Sequence, residues 1–163
     1  MEFTKIVPED YTLSAALGGF TYGVTPVEMA GAYACLSNEG IYHEPTCLAS
    51  IKDRYGKERY IKEEGLQIYH PDTVETLKSM MKEVSKSGTA RGLQWYKSSK
   101  ETLYAKTGTT DDRKDGWMCG FTDQYAIAVW TGCDTPKELP GDGASTSGEL
   151  LKSALLYALG RKS

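Results

Sequence analysis

Apolar residues Val27, Ala30, Tyr33 and Ala34 recur at helical spacing, and both ends of the run carry stop signals. Thr25-Pro26-Val27-Glu28 supplies an N-cap, a proline at the first helical position and a capping-box glutamate, while Gly40 closes the far end. The pattern predicts a helix over 25–39, approached through a turn-rich stretch containing Gly18, Gly19 and Gly23. Residues 46–52 and 58–62 read as strands joined by a turn at Asp53-Arg54-Tyr55-Gly56. A second helix opens at His70-Pro71-Asp72, with Asp72 as cap and Glu75 three residues on. Its apolar stripe is Val74, Leu77, Met81 and Val84, and it stops at Gly88.

Residues 88–101 show no period and read as a loop. Three strand candidates follow at 102–109, 115–121 and 125–133, the last two separated by only Thr122-Asp123-Gln124 and so expected as an antiparallel hairpin. A loop holding Pro136, Pro140, Gly141 and Gly143 leads to a last helix over 149–159, with Leu151, Leu155 and Leu159 in register. Runs of strands and helices in this order predict an α+β fold, an antiparallel sheet flanked by helices.

Composition removes several classes of function. The chain has 163 residues, enough for one core, and its 22 acidic against 19 basic residues leave a net charge of -3, with no broad field for nucleic acid or anionic lipid. No apolar run approaches the roughly 18 residues of a membrane span. Cys35, Cys47, Cys119 and Cys133 are far apart and the histidines are only His43 and His70, so no metal-ligand spacing exists and neither metal nor cofactor is expected. The four cysteines are expected as reduced thiols, and His43 and His70 as surface residues beside turns.

The densest chemistry is Tyr104-Ala105-Lys106-Thr107-Gly108-Thr109-Thr110, an amine, a glycine and three hydroxyls at a strand end. Side chains alternate along a strand, so Thr107 and Thr109 share one face and Lys106 takes the other. Gly108 lets another backbone lie close. Such a strand end can receive a carboxylate on two hydroxyls while a peptide pairs with its edge. The same residues also fit a solvated strand end with a turn glycine.

The segment Ala16-Leu17-Gly18-Gly19-Phe20-Thr21-Tyr22-Gly23-Val24-Thr25-Pro26-Val27-Glu28-Met29-Ala30, continuing to Asn38-Glu39-Gly40, resembles class A (bifunctional) penicillin-binding proteins. So do Lys106-Thr107-Gly108-Thr109-Thr110, then Asp115-Gly116-Trp117-Met118-Cys119-Gly120-Phe121-Thr122, then Ala128-Val129-Trp130-Thr131-Gly132, with Gly88-Thr89-Ala90 fitting the turn after the preceding helix. Order and spacing match the C-terminal part of that family's transpeptidase domain, over about residues 14–159. The resemblance implies the β-lactamase/transpeptidase-like fold and acyl transfer to a serine: S-x-x-K carries the nucleophile, S-x-N shuttles protons and K-T-G holds the substrate carboxylate. Carried over, Lys106 is the catalytic lysine pointing at the S-x-N serine. Thr107, Gly108 and Thr109 bind the carboxylate of a D-Ala-D-Ala stem peptide or a β-lactam, and the Thr109 N–H is an oxyanion donor.

The departures are equally informative. Asn38 is the sole asparagine and lies in no S-x-N, and the one S-x-x-K string is Ser79-Met80-Met81-Lys82. A nucleophilic serine needs concentrated N–H groups, as at a helix N-terminus, whereas Ser79 falls about two turns into a helix on its polar face. Ser79 and Lys82 are therefore expected to be a coincidence. Residues 1–163 are expected to form a single unit, with 1–24 as lead, 25–101 as helices and hairpin, and 102–163 as the K-T-G strand, hairpin and last helix. That unit lacks the nucleophile and is expected to be inactive alone, leaving an apolar surface where the N-terminal part of the domain would sit. Two other readings stay open: a non-catalytic peptide- or glycan-binding module using the edge of residues 106–109, and a self-contained Ser79/Lys82 hydrolase. Trp95 is a candidate for substrate or interdomain contact; Trp117 and Trp130 are expected to pack, and 111–115 to be a solvated charged turn. The parent protein is expected outside the cytoplasmic membrane, held by an anchor absent here.

Overall fold

A computed structural model describes residues 3–60, 64–93, 101–110, 112–140 and 143–160. Helix α1 spans Pro26–Ser37 and opens with the expected capping box: Glu28 N–H donates to Thr25 Oγ1 at 3.2 Å, and Thr25 N–H donates to the Glu28 carboxylate at 2.7 Å. The same carboxylate accepts from the N–H of Thr4 at 2.6 Å and from its hydroxyl at 2.9 Å, so the cap also ties down the lead. Within that lead, buried Asp10 accepts from the hydroxyl and N–H of Thr21, both at 2.7 Å, and from Val7 N–H at 3.1 Å.

Two strands that periodicity missed, β1 (Ile41–Tyr42) and β2 (Leu66–Gln67), pair antiparallel after α1. Between them the expected 46–52 and 58–62 hairpin shrinks to a single bridge, Lys52 with Glu58. Part of its second arm lies outside the described residues. The turn itself is as read, because Asp53 accepts from the N–H groups of Tyr55 and Lys57 and Gly56 takes a φ of +80°. With local hydrogen bonds satisfied by one side chain and few apolar residues to bury, nothing extends the ladder.

Gly40 is more than a helix stop. Its φ is +86°, its carbonyl accepts from Ile68 N–H at 2.8 Å, and a Cβ there would lie 2.2 Å from the Tyr69 carbonyl oxygen. The end of α1 is thus packed directly against the approach to α2 (Pro71–Lys86). That helix begins one residue earlier than the sequence pattern indicates. His70, not Asp72, is the cap, its Nδ1 accepting from Asp72 N–H at 3.4 Å, with Pro71 in the first helical position. Asp72 instead lies in the first turn, where its negative charge suits the helix dipole.

The main sheet has the order β3-β4-β5, from β3 (Tyr104–Thr109), β4 (Gly116–Phe121) and β5 (Ala126–Thr131), all antiparallel. On one face Ala105 and Met118 join Leu151 and Leu155 of α3 (Gly148–Ala158), with Ala90, Leu93 and Leu103 completing the core. On the other, Phe121 stacks on Tyr104 at 4.9 Å and meets Tyr33 of α1 edge-on at 6.3 Å. The β4–β5 turn is organised by buried Thr122, whose hydroxyl accepts from Gln124 and Tyr125 N–H and whose carbonyl accepts from Ser37 Oγ at 2.9 Å. At the opposite end of β4 a π-helical turn, Gly143–Ser147, runs straight into α3. There buried Ser147 and Thr131 both donate to the Gly116 carbonyl, at 2.8 and 3.2 Å.

All four cysteines are free, Cys35 and Cys119 being buried and Cys47 exposed. Burial pushes the Cys119 thiol up to about 12. The lead leaves Leu13 and Leu17 over 90% exposed, at 92% and 94%, with Tyr11 and Tyr22 also outward.

Hydrogen bonds from Thr4 N–H, then from Thr25, hold the Glu28 carboxyl down from its ordinary 4.5 to about 2. A group depressed on folding stabilises fully above its unfolded value and loses that contribution as pH falls through the folded one. Thermal melts should therefore show stability declining below pH 4.5 toward 2, and Glu28→Gln should flatten that acid limb while lowering Tm near neutrality. An unchanged acid limb in the variant would refute the coupling of cap and lead.

Candidate functional site

β3 forms the edge of its sheet among the described residues. Thr110 N–H donates to the Asp115 carbonyl at 3.3 Å, and in an antiparallel ladder bonded pairs alternate. Gly108 with Trp117 and Lys106 with Cys119 are consequently the bonded pairs, and the peptide groups of Thr107 and Thr109 turn away from β4. Their side chains rise on the same face as buried Ala105, whereas Lys106 is rooted on the opposite face. The lysine then folds around the edge, and its Nζ donates to the Thr107 carbonyl at 2.7 Å. The ammonium, two hydroxyl-bearing residues and outward peptide groups so meet along one strand edge.

Gly108 sits opposite Trp117, and an added Cβ would lie 3.2 Å from Trp117 Cβ. Its missing side chain keeps β3 flat against that indole. Thr89, in the turn after α2, places its hydroxyl oxygen 2.9 Å from that of Thr107. Periodicity carries no trace of this contact; the only signal for it was the threonine in Gly88-Thr89-Ala90.

The turn beyond the strand is less loose than its charges suggest. Thr110 Oγ1 accepts from the N–H groups of Lys114 and Asp115, at 2.9 and 3.1 Å, and Arg113 adopts a φ of +51°. Asp115 is not merely solvated: it accepts from Trp130 Nε1 at 2.8 Å. Arg113 pairs with Glu138, and Lys114 with Asp112 at 2.6 Å, lining a shallow open depression of about 440 Å³. These charges are spent on one another and present no nucleophile.

Ser79 is exposed in the middle of α2, and its Oγ donates to the Thr76 carbonyl of its own helix at 2.8 Å. Trp95 and Asp111 lie outside the described residues. Among the described residues no group of three or more His, Cys, Asp or Glu is placed to hold a metal ion, and no helix is long and apolar enough to cross a membrane.

Residues 4–155 match the family model of the penicillin binding protein transpeptidase domain. Penicillin-binding protein 4 of Bacillus subtilis is 41% identical over 135 residues, covering 82% of this chain and 21% of its own length. Penicillin-binding protein 1A of Clostridium acetobutylicum is 32% identical over 152 residues, covering 90% and 18%. Among solved structures, the penicillin-binding protein PonA1 of Mycobacterium tuberculosis, also solved in complex with penicillin V, superposes with a TM-score of 0.77 at 25% identity, covering 92% of this chain and 42% of that one. The chain belongs to the penicillin-binding protein transpeptidase family, and relatives designated 1A fit the class A group that its motif order indicates. It spans about a fifth of the length of these curated relatives.

Gly108→Ala is expected to lower stability by about 1 kcal/mol through overpacking against Trp117. Urea unfolding followed by tryptophan emission measures it, and an unchanged midpoint would show that the indole gives way freely.

Proposed function

We propose that this chain supplies the carboxylate-binding strand of a serine D,D-transpeptidase that cross-links peptidoglycan stem peptides and binds penicillin. The observation that carries the reading is the edge of β3, where outward peptide groups of Thr107 and Thr109 meet the Lys106 ammonium 2.7 Å from the Thr107 carbonyl. An extended peptide ending in D-Ala-D-Ala would add to this edge as a further strand. Its terminal carboxylate, or that of a β-lactam, would lie on the Thr107 and Thr109 hydroxyls. Gly108 keeps the approach open, and the Thr109 N–H lies where it can donate to a developing oxyanion. Lys106, catalytic in this reading, leaves its own carbonyl partner to face the proton-shuttling serine and lends the site positive charge. No cofactor is required by acyl transfer of this kind.

Ser79 does not serve as the nucleophile. Its hydroxyl is committed within α2, far from that helix's N-terminal N–H groups, so no oxyanion stabilisation is at hand. The unit of residues 1–163 acts as the C-terminal part of a transpeptidase domain, and the nucleophile comes from the part of the domain that precedes it. The exposed Leu13 and Leu17 of the lead suit contact with that part. Neither nucleic acid nor the membrane surface is a partner of this portion; the parent works outside the cytoplasmic membrane, held by an anchor elsewhere in its chain.

Incubation with a fluorescent penicillin should leave no covalent adduct on this chain, whereas titration with a D-Ala-D-Ala peptide should show binding that Lys106→Ala weakens. Stoichiometric labelling lost on Ser79→Ala would establish the self-contained hydrolase instead. Binding indifferent to Lys106→Ala would remove β3 from the site.

A further inference from the structure

The turn after α2 is built to hold one side chain over β3. Gly88 N–H donates to the carbonyls of Glu83 and Val84, at 3.2 and 3.1 Å, and a Cβ on Gly88 would lie 2.9 Å from the Val84 backbone. Ala90 N–H donates to the Val84 carbonyl at 3.3 Å, and Ala90 and Leu93 are buried in the core. Between them Thr89 stays exposed, with its Oγ1 2.9 Å from Thr107 Oγ1. A glycine close on the helix and an alanine in the core leave the threonine in a fixed place.

Two hydroxyls at this distance share one hydrogen, and its direction matters. If Thr107 donates to Thr89, it turns lone pairs toward an incoming anion. If Thr89 donates, the Thr107 hydrogen is left for a carboxylate, and the first bond polarises the second. We infer that Thr89 is a positioning residue that donates to Thr107 Oγ1 and thereby orients the Thr107 O–H toward the carboxylate of the bound peptide. This rests on the reading of β3 as the carboxylate strand.

The test uses the full chain and two probes, Nα-acetyl-D-alanyl-D-alanine and its C-terminal amide, titrated by amide chemical shifts of β3. Thr89→Val should weaken binding of the acid about threefold to tenfold, the worth of one neutral hydrogen bond, and leave the amide unchanged. Thr89→Ser should restore the acid, and in a Thr107→Val background Thr89→Val should have no further effect. A Thr89→Val chain that binds the acid as well as wild type, or whose loss persists beside Thr107→Val, overturns the inference alone. Wild type that does not distinguish acid from amide overturns the carboxylate reading and this inference with it. Thr89→Ala replaces Thr89→Val if the latter fails to give a dispersed amide spectrum.

Discussion

Strand β4 is bonded along both edges and covered on both faces, and the position of every functional group depends on that confinement. Met118 points to α3 and the core, Phe121 to Tyr33 and Tyr104 on the opposite side. A slip of one residue would exchange these faces, driving both large side chains out of their packing. The register is therefore fixed by apolar burial, and β3 inherits it: Lys106 stands opposite Cys119 and Gly108 opposite Trp117 because Met118 cannot move. The placement of the polar edge is set by residues that never touch it.

Hydroxyls secure the two ends of the same strand. At one end Thr122 folds the hairpin and is joined to the last turn of α1 through Ser37. At the other, Ser147 and Thr131 share the Gly116 carbonyl, bringing the start of α3 under the strand. Buried hydroxyls need such partners, and each finds them in backbone carbonyls or N–H groups that would otherwise be short of bonds. The polar contacts thus orient the helices while apolar contacts fix the register.

Much of this was legible in the residues. Capping signals at Thr25 and Glu28 marked α1 because they act within one turn, and the three strands stood out because β4 and β5 are joined by so short a turn. Features depending on distant partners left weaker traces. β1 and β2 lie 23 residues apart at their paired ends, Tyr42 and Leu66 showing a difference of 24 in number, and two-residue strands carry no period. His70 was passed over as a cap because Asp72 is the commoner capping residue, yet Pro71 belongs in the first helical position and sets the cap before it. Asp115 looked solvated beside four charged neighbours, and only the fold brings Trp130 to it. For the site, alternation alone separates Thr107 from Lys106, but not the curl of the lysine around the edge nor the approach of Thr89.

Gly40 has a mechanical meaning beyond closing a helix. It leaves no slack between the end of α1 and the approach to α2, since even a methyl group would collide with the Tyr69 carbonyl. α1 lies against the sheet through Tyr33, while α2 reaches β3 through Lys78 above the Tyr104 ring. A pull on β3 is therefore shared by both helices, and the two behave as arms of one lever whose fulcrum is an absent side chain.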